Sequence, residues 1–342
     1  MRWRPDVYVA EGTTDSMHYL VTGATGFIGQ HLVEALVDAG HRVTALVRDP
    51  SRANSLPEAV ELAVGDITDR ESLRAPMTDV DGVFHLAAWY KVGVKDVKTA
   101  ASVNVEGTRN VLEMMADLGV DKGVYTSSLA VFSDTGGEVV DESYRFEGEH
   151  LSLYDRTKWQ AHHEVAEPMM EEGLPLVIVQ PGAVYGPGDR GPLWLMWRPY
   201  LEGDLSIIPR GNGFCWGHVE DTVDGMIAAM ERGTPGETYI IAGEPRMLTE
   251  VFEIAAEITG IDPPRTIPPG VLRGLSRIVR PFERVVDLPP EYTSESLRLL
   301  GGVTYWGDNT KATQELGLEH RPLTEGLAEM LDHEQAILSG ET

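Results

Sequence analysis

The chain of 342 residues, 42% hydrophobic and 24% charged, is long enough to bury a sizeable core with a second, smaller lobe beside it, which excludes a disordered or fibrous protein. Acidic residues outnumber basic ones 54 to 28, and a formal charge of -26 repels phosphate backbones and anionic headgroups, so neither nucleic acid nor a membrane is expected as a partner. One cysteine, Cys215, permits no internal disulfide and no thiolate zinc cluster, and no apolar run approaches the ~20 residues that cross a bilayer, so a reduced, cytoplasmic setting is expected.

The segment Met1–Ser16 carries Arg2 and Arg4 but no apolar stretch of the ~7–15 residues that a secretory signal needs. It reads as a disordered tail or as an over-extended start, with Met17 the true beginning. From His18 onward, short β-branched runs alternate with amphipathic stretches, the pattern of a doubly wound parallel sheet. The spacing predicts strands at His18–Thr22, Arg42–Val47, Val60–Val64, Gly82–Leu86, Gly123–Thr126 and Leu176–Val179. Helices are predicted at Phe27–Ala39, Ala100–Leu118 and Leu153–Glu172. Past Pro181 the rhythm breaks into Gly and Pro clusters. The fold class is therefore α/β, a Rossmann-type sheet with a smaller mixed C-terminal lobe. Residues 17–185 are assigned to the nucleotide domain with 215–243 returning to it, and 186–214 and 244–342 to the substrate lobe.

Between the first strand and its helix stands Thr22-Gly23-Ala24-Thr25-Gly26-Phe27-Ile28-Gly29. Three glycines allow a tight turn, close approach to a pyrophosphate and helix–sheet packing, with the helix N-terminus facing the anion. The position between a strand and a helix points to a dinucleotide held by Gly23, Thr25, Gly26, Phe27, Ile28 and Gly29. After the second strand the sequence is Val47-Arg48-Asp49-Pro50-Ser51-Arg52. Arg48 and Arg52 suit a 2′-phosphate, which favours NADP. If both are merely solvated, Asp49 reaches a ribose and the cofactor is NAD.

Tyr154 and Lys158 stand one helical turn apart and point from one face, and Ser127-Ser128 closes a strand at the carboxyl edge of the sheet. With these residues, the chain resembles the extended short-chain dehydrogenase/reductase family, in which NAD-dependent epimerases and dehydratases also fall. The resemblance runs from His18 to about Leu331. It rests on Thr22–Gly29, Gly65-Asp66, His85-Leu86-Ala87-Ala88, Asn104-Val105-Glu106-Gly107-Thr108, Tyr125-Thr126-Ser127-Ser128, Tyr154 with Lys158, the run Pro181 to Pro187, and His218-Val219-Glu220-Asp221.

The resemblance implies that Asp66 and Ile67 lie at the adenine, that Leu86, Ala87 and Ala88 line the cofactor channel, and that Pro181 helps seat the nicotinamide. By the plainer reading Asp66 caps a turn and the alanines fill core. It also implies a catalytic set of Ser128, Tyr154, Lys158 and Asn104. Tyr154 would be the acid/base, Ser128 would hold the substrate oxygen, Asn104 would support the neighbouring helix, and Lys158 would place its charge beside the phenol and bind the nicotinamide ribose.

The segment Gly211–His218 has no arginine after Gly213, where nucleotide-sugar enzymes of the family tend to carry one. Trp89, Tyr90, Val184, Trp194 and Phe214 suggest an apolar pocket instead. The dihydroflavonol reductase-like branch is therefore expected, acting on a small carbonyl or alcohol. A nucleotide-sugar epimerase or dehydratase with tightly held NAD is the alternative, and a non-catalytic NADP-binding regulator a third. No metal is expected: His162 and His163 read as surface residues. Relatives commonly dimerise through the two long helices, and Met114 and Met169 suit such a seam. The 22 Arg and 6 Lys beside so many carboxylates resemble the bias of salt-loving archaea, although a GC-rich genome gives the same skew.

Overall fold

The computed structural model describes residues 16–94, 96–283, 285–286 and 288–340. The expected N-terminal tail lies outside them apart from Ser16. The strands are β1 His18–Thr22, β2 Arg42–Val47, β3 Glu61–Val64, β4 Gly82–His85, β5 Lys122–Thr126, β6 Leu176–Gln180, β7 Ala183–Tyr185, β8 Ile207–Pro209, β9 Gly213–His218, β10 Thr238–Ile240, β11 Glu244–Met247, β12 Arg265–Ile267 and β13 Thr304–Tyr305. Seven form one parallel sheet in the order β10-β6-β5-β4-β1-β2-β3.

Because the sheet is covered on both faces, its strands are apolar throughout. Val21, Ala45, Phe84 and Val177 enter one core, and Leu20, Leu46, Val83 and Ile178 enter the other. The chain moves outward through β2 and β3 on one side of β1 and through β4, β5 and β6 on the other. That reversal opens a crevice at the carboxyl ends of β1 and β4, the position where such sheets bind ligands.

The smaller sheet centres on β9, which pairs with β11, β7 and β13. The segment expected to return to the nucleotide domain is thus divided. β9 belongs to the lobe, whereas the helix Val219–Glu231 and β10 pack on the large sheet. Ala312 and Leu316, assigned to the lobe, also bury themselves in the large sheet's core, because the helix Thr310–Leu316 lies against Val219–Glu231. Tyr185, Trp197, Tyr200, Trp216 and Phe252 fill the lobe's own core.

Both long helices beside the crevice contain a π-helical turn, Ser102–Gly107 and Ala161–Ala166, where six residues replace the usual spacing. Such insertions re-aim side chains and cluster at functional sites. Met114 does not serve the expected seam: it is fully buried within the chain, between Val111 and the other residues of the sheet's second core. Among the described residues no helix is long and apolar enough to cross a membrane.

Candidate active site

The glycine turn sits at the end of β1. Gly23 has φ +76, and a Cβ there would stand 2.7 Å from the Ala87 nitrogen; one on Gly29 would stand 2.2 Å from the Gly23 carbonyl oxygen. Gly26 precedes the helix Phe27–Asp38 without a side-chain cap, so the leading N–H groups of that helix have no partner from the cap residue. A bare turn aimed from the helix N-terminus into the crevice fits a dinucleotide pyrophosphate.

Thr22 ties this turn to the next loop. Its hydroxyl meets His85 Nδ1 at 2.7 Å and accepts from Ala87 N–H at 3.2 Å, while His85 Nε2 meets the Thr108 hydroxyl at 3.0 Å. Burial pushes His85 down to about 3, so the ring is neutral and the chain of hydrogen bonds carries no charge. Leu86 and Ala87 are half-buried at the crevice and Ala88 is exposed.

At the outer edge, Asp49 spends its carboxylate on the Ser51 N–H and hydroxyl, at 3.0 and 2.7 Å. Arg48 and Arg52 are exposed and make no ion pair among the described residues. Asp66 accepts from the Thr68 N–H and hydroxyl at 2.9 Å, so it does cap a turn, and Ile67 is buried against Gly107.

Asn104 projects from the first π turn and is completely enclosed. Its Oδ1 accepts from Trp89 N–H at 2.6 Å, and its Nδ2 donates to Trp89 O at 3.0 Å and to the Thr157 hydroxyl at 2.9 Å. Thr157 lies between Tyr154 and Lys158 and donates to the carbonyls of Leu153 and Tyr154. Asn104 therefore locks the loop after β4 to the helix Leu153–Gln160, which carries both candidate catalytic residues.

Tyr154 is half-buried under Tyr90, with ring centroids 4.5 Å apart. Burial raises its phenol well above the ordinary value, Tyr90 adds to this, and a hydrogen bond with Ser128 pulls the other way. Ser128 also accepts from Ala130 N–H at 3.1 Å, and its neighbour Leu129 donates to the carbonyl of buried Pro181.

Lys158 is held by the end of β5. Its ammonium does not meet the phenol of Tyr154: Nζ donates to Thr126 O at 2.7 Å and Tyr125 Oη at 3.1 Å, and lies 4.7 Å over the Tyr125 ring. The strand end supplies acceptors that the apolar surroundings do not, and burial brings the amine down to about 7.

Asp155, which the sequence did not single out, is buried beside Tyr154. It accepts from Ser152 at 2.6 Å and Tyr305 at 3.0 Å, and burial raises it to about 7. The Ser152-x-x-Asp155 spacing marks it only as part of a helix start, since its other partner Tyr305 comes 150 residues later.

The pocket residues fare unequally. Trp89 is buried beneath the loop, and Tyr90 covers Tyr154. Val184 lies in β7, opposite Gly217. Phe214 stacks on Tyr305 with centroids 5.9 Å apart. Trp194 packs against the lobe core and holds the Arg190 guanidinium 4.4 Å from its ring. His162 and His163 are not surface residues. His162 is buried with Nδ1 2.7 Å from the Ser127 hydroxyl, and the pair shares Glu167, which also binds Arg145 at 2.8 Å. Their three ligating atoms lie within 4.8 Å of one another.

A model of the NAD dependent epimerase/dehydratase family matches residues 19–242. The chain belongs to this family. Among its relatives, the sterol demethylase protein B of Methylococcus capsulatus is 33% identical over 310 residues, covering 88% of this chain and 93% of the relative. A putative dihydroflavonol 4-reductase of Synechocystis is 31% identical over 329 residues, covering 91% and 92%. The crystal structure of gox2253 superposes with a TM-score of 0.81 at 32% identity, over 96% of this chain and all of that one. The glycine turn follows β1 and Ser128 follows β5, so both stand at the carboxyl edge of the same parallel sheet.

Proposed function

We propose that this member of the family moves a hydride between a nicotinamide and the carbonyl or secondary alcohol of a small, largely apolar substrate, with Tyr154 as acid/base. The observation that carries the reading is Tyr154 itself, a protonated phenol covered by Tyr90 and bonded to Ser128. NAD(P), when bound, supplies hydride to the reacting carbon or takes it away. Ser128 holds the substrate oxygen, and Tyr154 gives it a proton during reduction. Burial keeps the phenol protonated, so the proton that reduction needs is in place at neutral pH, while the raised pKa makes Tyr154 a weak acid until a neighbouring charge stabilises its anion. Lys158, anchored on Thr126 and Tyr125, presents its ammonium to the cofactor ribose and fixes the end of β5. The sterol and dihydroflavonol in the relatives' names are polycyclic compounds with large hydrocarbon or aromatic ring systems, which supports the substrate class.

Exposed Arg48 and Arg52, beside an Asp49 already engaged by Ser51, favour NADP over NAD. A nucleotide-sugar epimerase or dehydratase is the second reading, favoured by the family's description. The test compares Tyr154→Phe with the parent. Turnover of an apolar ketone panel with NADPH is expected to fall about a hundredfold to ten-thousandfold while dinucleotide affinity holds. Stoichiometric NAD released from denatured protein, with no carbonyl consuming NADPH, would transfer the assignment to the second reading.

A further inference from the structure

The helix Pro269–Phe282 turns an apolar stripe outward. Val271, Leu275, Ile278 and Phe282 are all exposed, the last two at 61%, and at about 100° per residue they occupy one sector about 60° wide. Leu272 and Ser276 form the adjoining face and are buried, with Ser276 donating to Ser294 O. Val285 and Val286 continue the apolar surface beyond the helix, at 86% and 50% exposure. Among the described residues nothing covers this stripe.

Charge distinguishes the same segment. From Pro263 to Phe282 there are four arginines and no acidic residue, in a chain whose net charge is -26. Arg273, Arg277 and Arg280 lie on the helix side away from the stripe; Arg273 holds the carbonyls of Gly301 and Gly302, and Arg280 reaches exposed Glu149. Screening confines electrostatics to ~8 Å at physiological ionic strength, so a flat anionic surface meeting this helix responds to local charge more than to the total. An apolar stripe backed by arginines, on a helix with no carboxylate of its own, is the chemistry of a helix lying in a lipid interface.

Its place in the fold links it to the site. Glu283 accepts from the Ser294 N–H and hydroxyl, and Glu295 accepts from Gly93 N–H at 3.0 Å and Leu153 N–H at 3.2 Å. Gly93 follows Tyr90 by three residues, and Leu153 immediately precedes Tyr154. Through Ser294 and Glu295 the end of the exposed helix is therefore tied to the loop that covers the phenol.

We propose that Pro269–Phe282 with Val285 and Val286 docks on a bilayer containing anionic headgroups, so that an apolar substrate passes from lipid to Tyr154; the delivery half of this statement rests on the function proposed above, the docking half does not.

The experiment is co-sedimentation of the full chain with phosphatidylcholine vesicles, with and without phosphatidylglycerol, beside light scattering of the free protein. Binding is expected to both, stronger with phosphatidylglycerol. Ile278→Glu with Phe282→Glu is expected to lower partitioning about tenfold or more, since two apolar side chains no longer enter the lipid. Arg277→Glu, which removes no hydrogen bond described above, is expected to abolish the preference for phosphatidylglycerol. Thermal melts matching the parent would show that the variants fold. Absence of vesicle binding, binding indifferent to both variants, or a dimer that the double substitution splits while vesicles go unbound would overturn docking. Vesicle binding with every apolar carbonyl inert would leave docking standing and overturn the proposed reaction.

Discussion

The floor of the crevice and its rim are built on opposite terms. On the floor, Gly23, Gly29, Asn104, His85 and Lys158 are held by backbone approaches and buried hydrogen bonds in which every partner is itself enclosed. On the rim, Arg48 and Arg52 face solvent without an ion pair among the described residues, and elsewhere on the surface the helix Pro269–Phe282 turns an apolar stripe to solvent. A group on the floor cannot be removed without orphaning another, because a buried donor or acceptor left alone costs about 1–3 kcal/mol. Rim groups are replaceable, so selectivity can be retuned there while the floor stays constant.

Substitutions can break this contrast, and the floor should yield the largest effects. Gly29→Ala drives a methyl into the Gly23 carbonyl and is expected to cost about 3 kcal/mol or more, read as a lowered melting temperature together with lost dinucleotide binding. Asn104→Ala leaves Trp89 N–H and O without partners and removes one donor from the Thr157 hydroxyl, for an expected loss of about 2–3 kcal/mol. Turnover should fall with it, since the helix bearing Tyr154 loses its tie to the loop.

Lys158→Met sharpens the comparison from the other side. Burial holds this amine at about 7 instead of its ordinary 10.5, so the unfolded chain binds more protons between those values and stability rises with pH across that window. The penalty of enclosing the charge is complete below pH 7. The variant should therefore be more stable than the parent at pH 6, by about 1–3 kcal/mol after the loss of its contacts to Thr126 and Tyr125, with the gain shrinking by pH 9 while activity is lost at both. Equal melting differences at the two pH values would mean that the amine is not the strained group. The smallest effect belongs to the rim: Arg48→Ala should weaken NADPH by about 1.5–3 kcal/mol and leave NADH and the melting temperature nearly unchanged. Equal losses for both dinucleotides would move Arg48 to the floor.

Much of the floor was legible before the fold was known, and the reasons are local. The stretches Leu20–Val21, Ala45–Leu46 and Ile178–Val179 are apolar on both faces, which only a covered parallel sheet explains, and β1 and β2 begin and end at the expected residues. The glycine turn could be read because backbone clearance is a requirement of neighbours in sequence. Contacts across the sheet were not legible. Spacing put Lys158 on the same face as Tyr154 but could not see Thr126 and Tyr125, which take its ammonium from a strand more than thirty residues earlier. His162 looked solvated because its partner Ser127 comes from another element, and the Glu167 that it shares with His163 is itself held by distant Arg145. Met114 looked like a seam residue because a hydrophobic position on an amphipathic helix does not say whether the sheet or a second copy covers it.

The clasp made by Glu295 has a consequence for biogenesis. It joins residues 202 and 142 positions apart in sequence, closing on the loop at Gly93 and on Leu153. At ~5–20 residues per second of synthesis, Leu153 emerges roughly 7–30 s before its clasp exists. The glycine turn can thus form and recruit its dinucleotide on the ribosome while the mouth above Tyr154 still lacks its closing strap. A chain that stalls before residue 295 would be a binder without a finished reaction chamber, and maturation of the enzyme is timed by its C-terminal fifth.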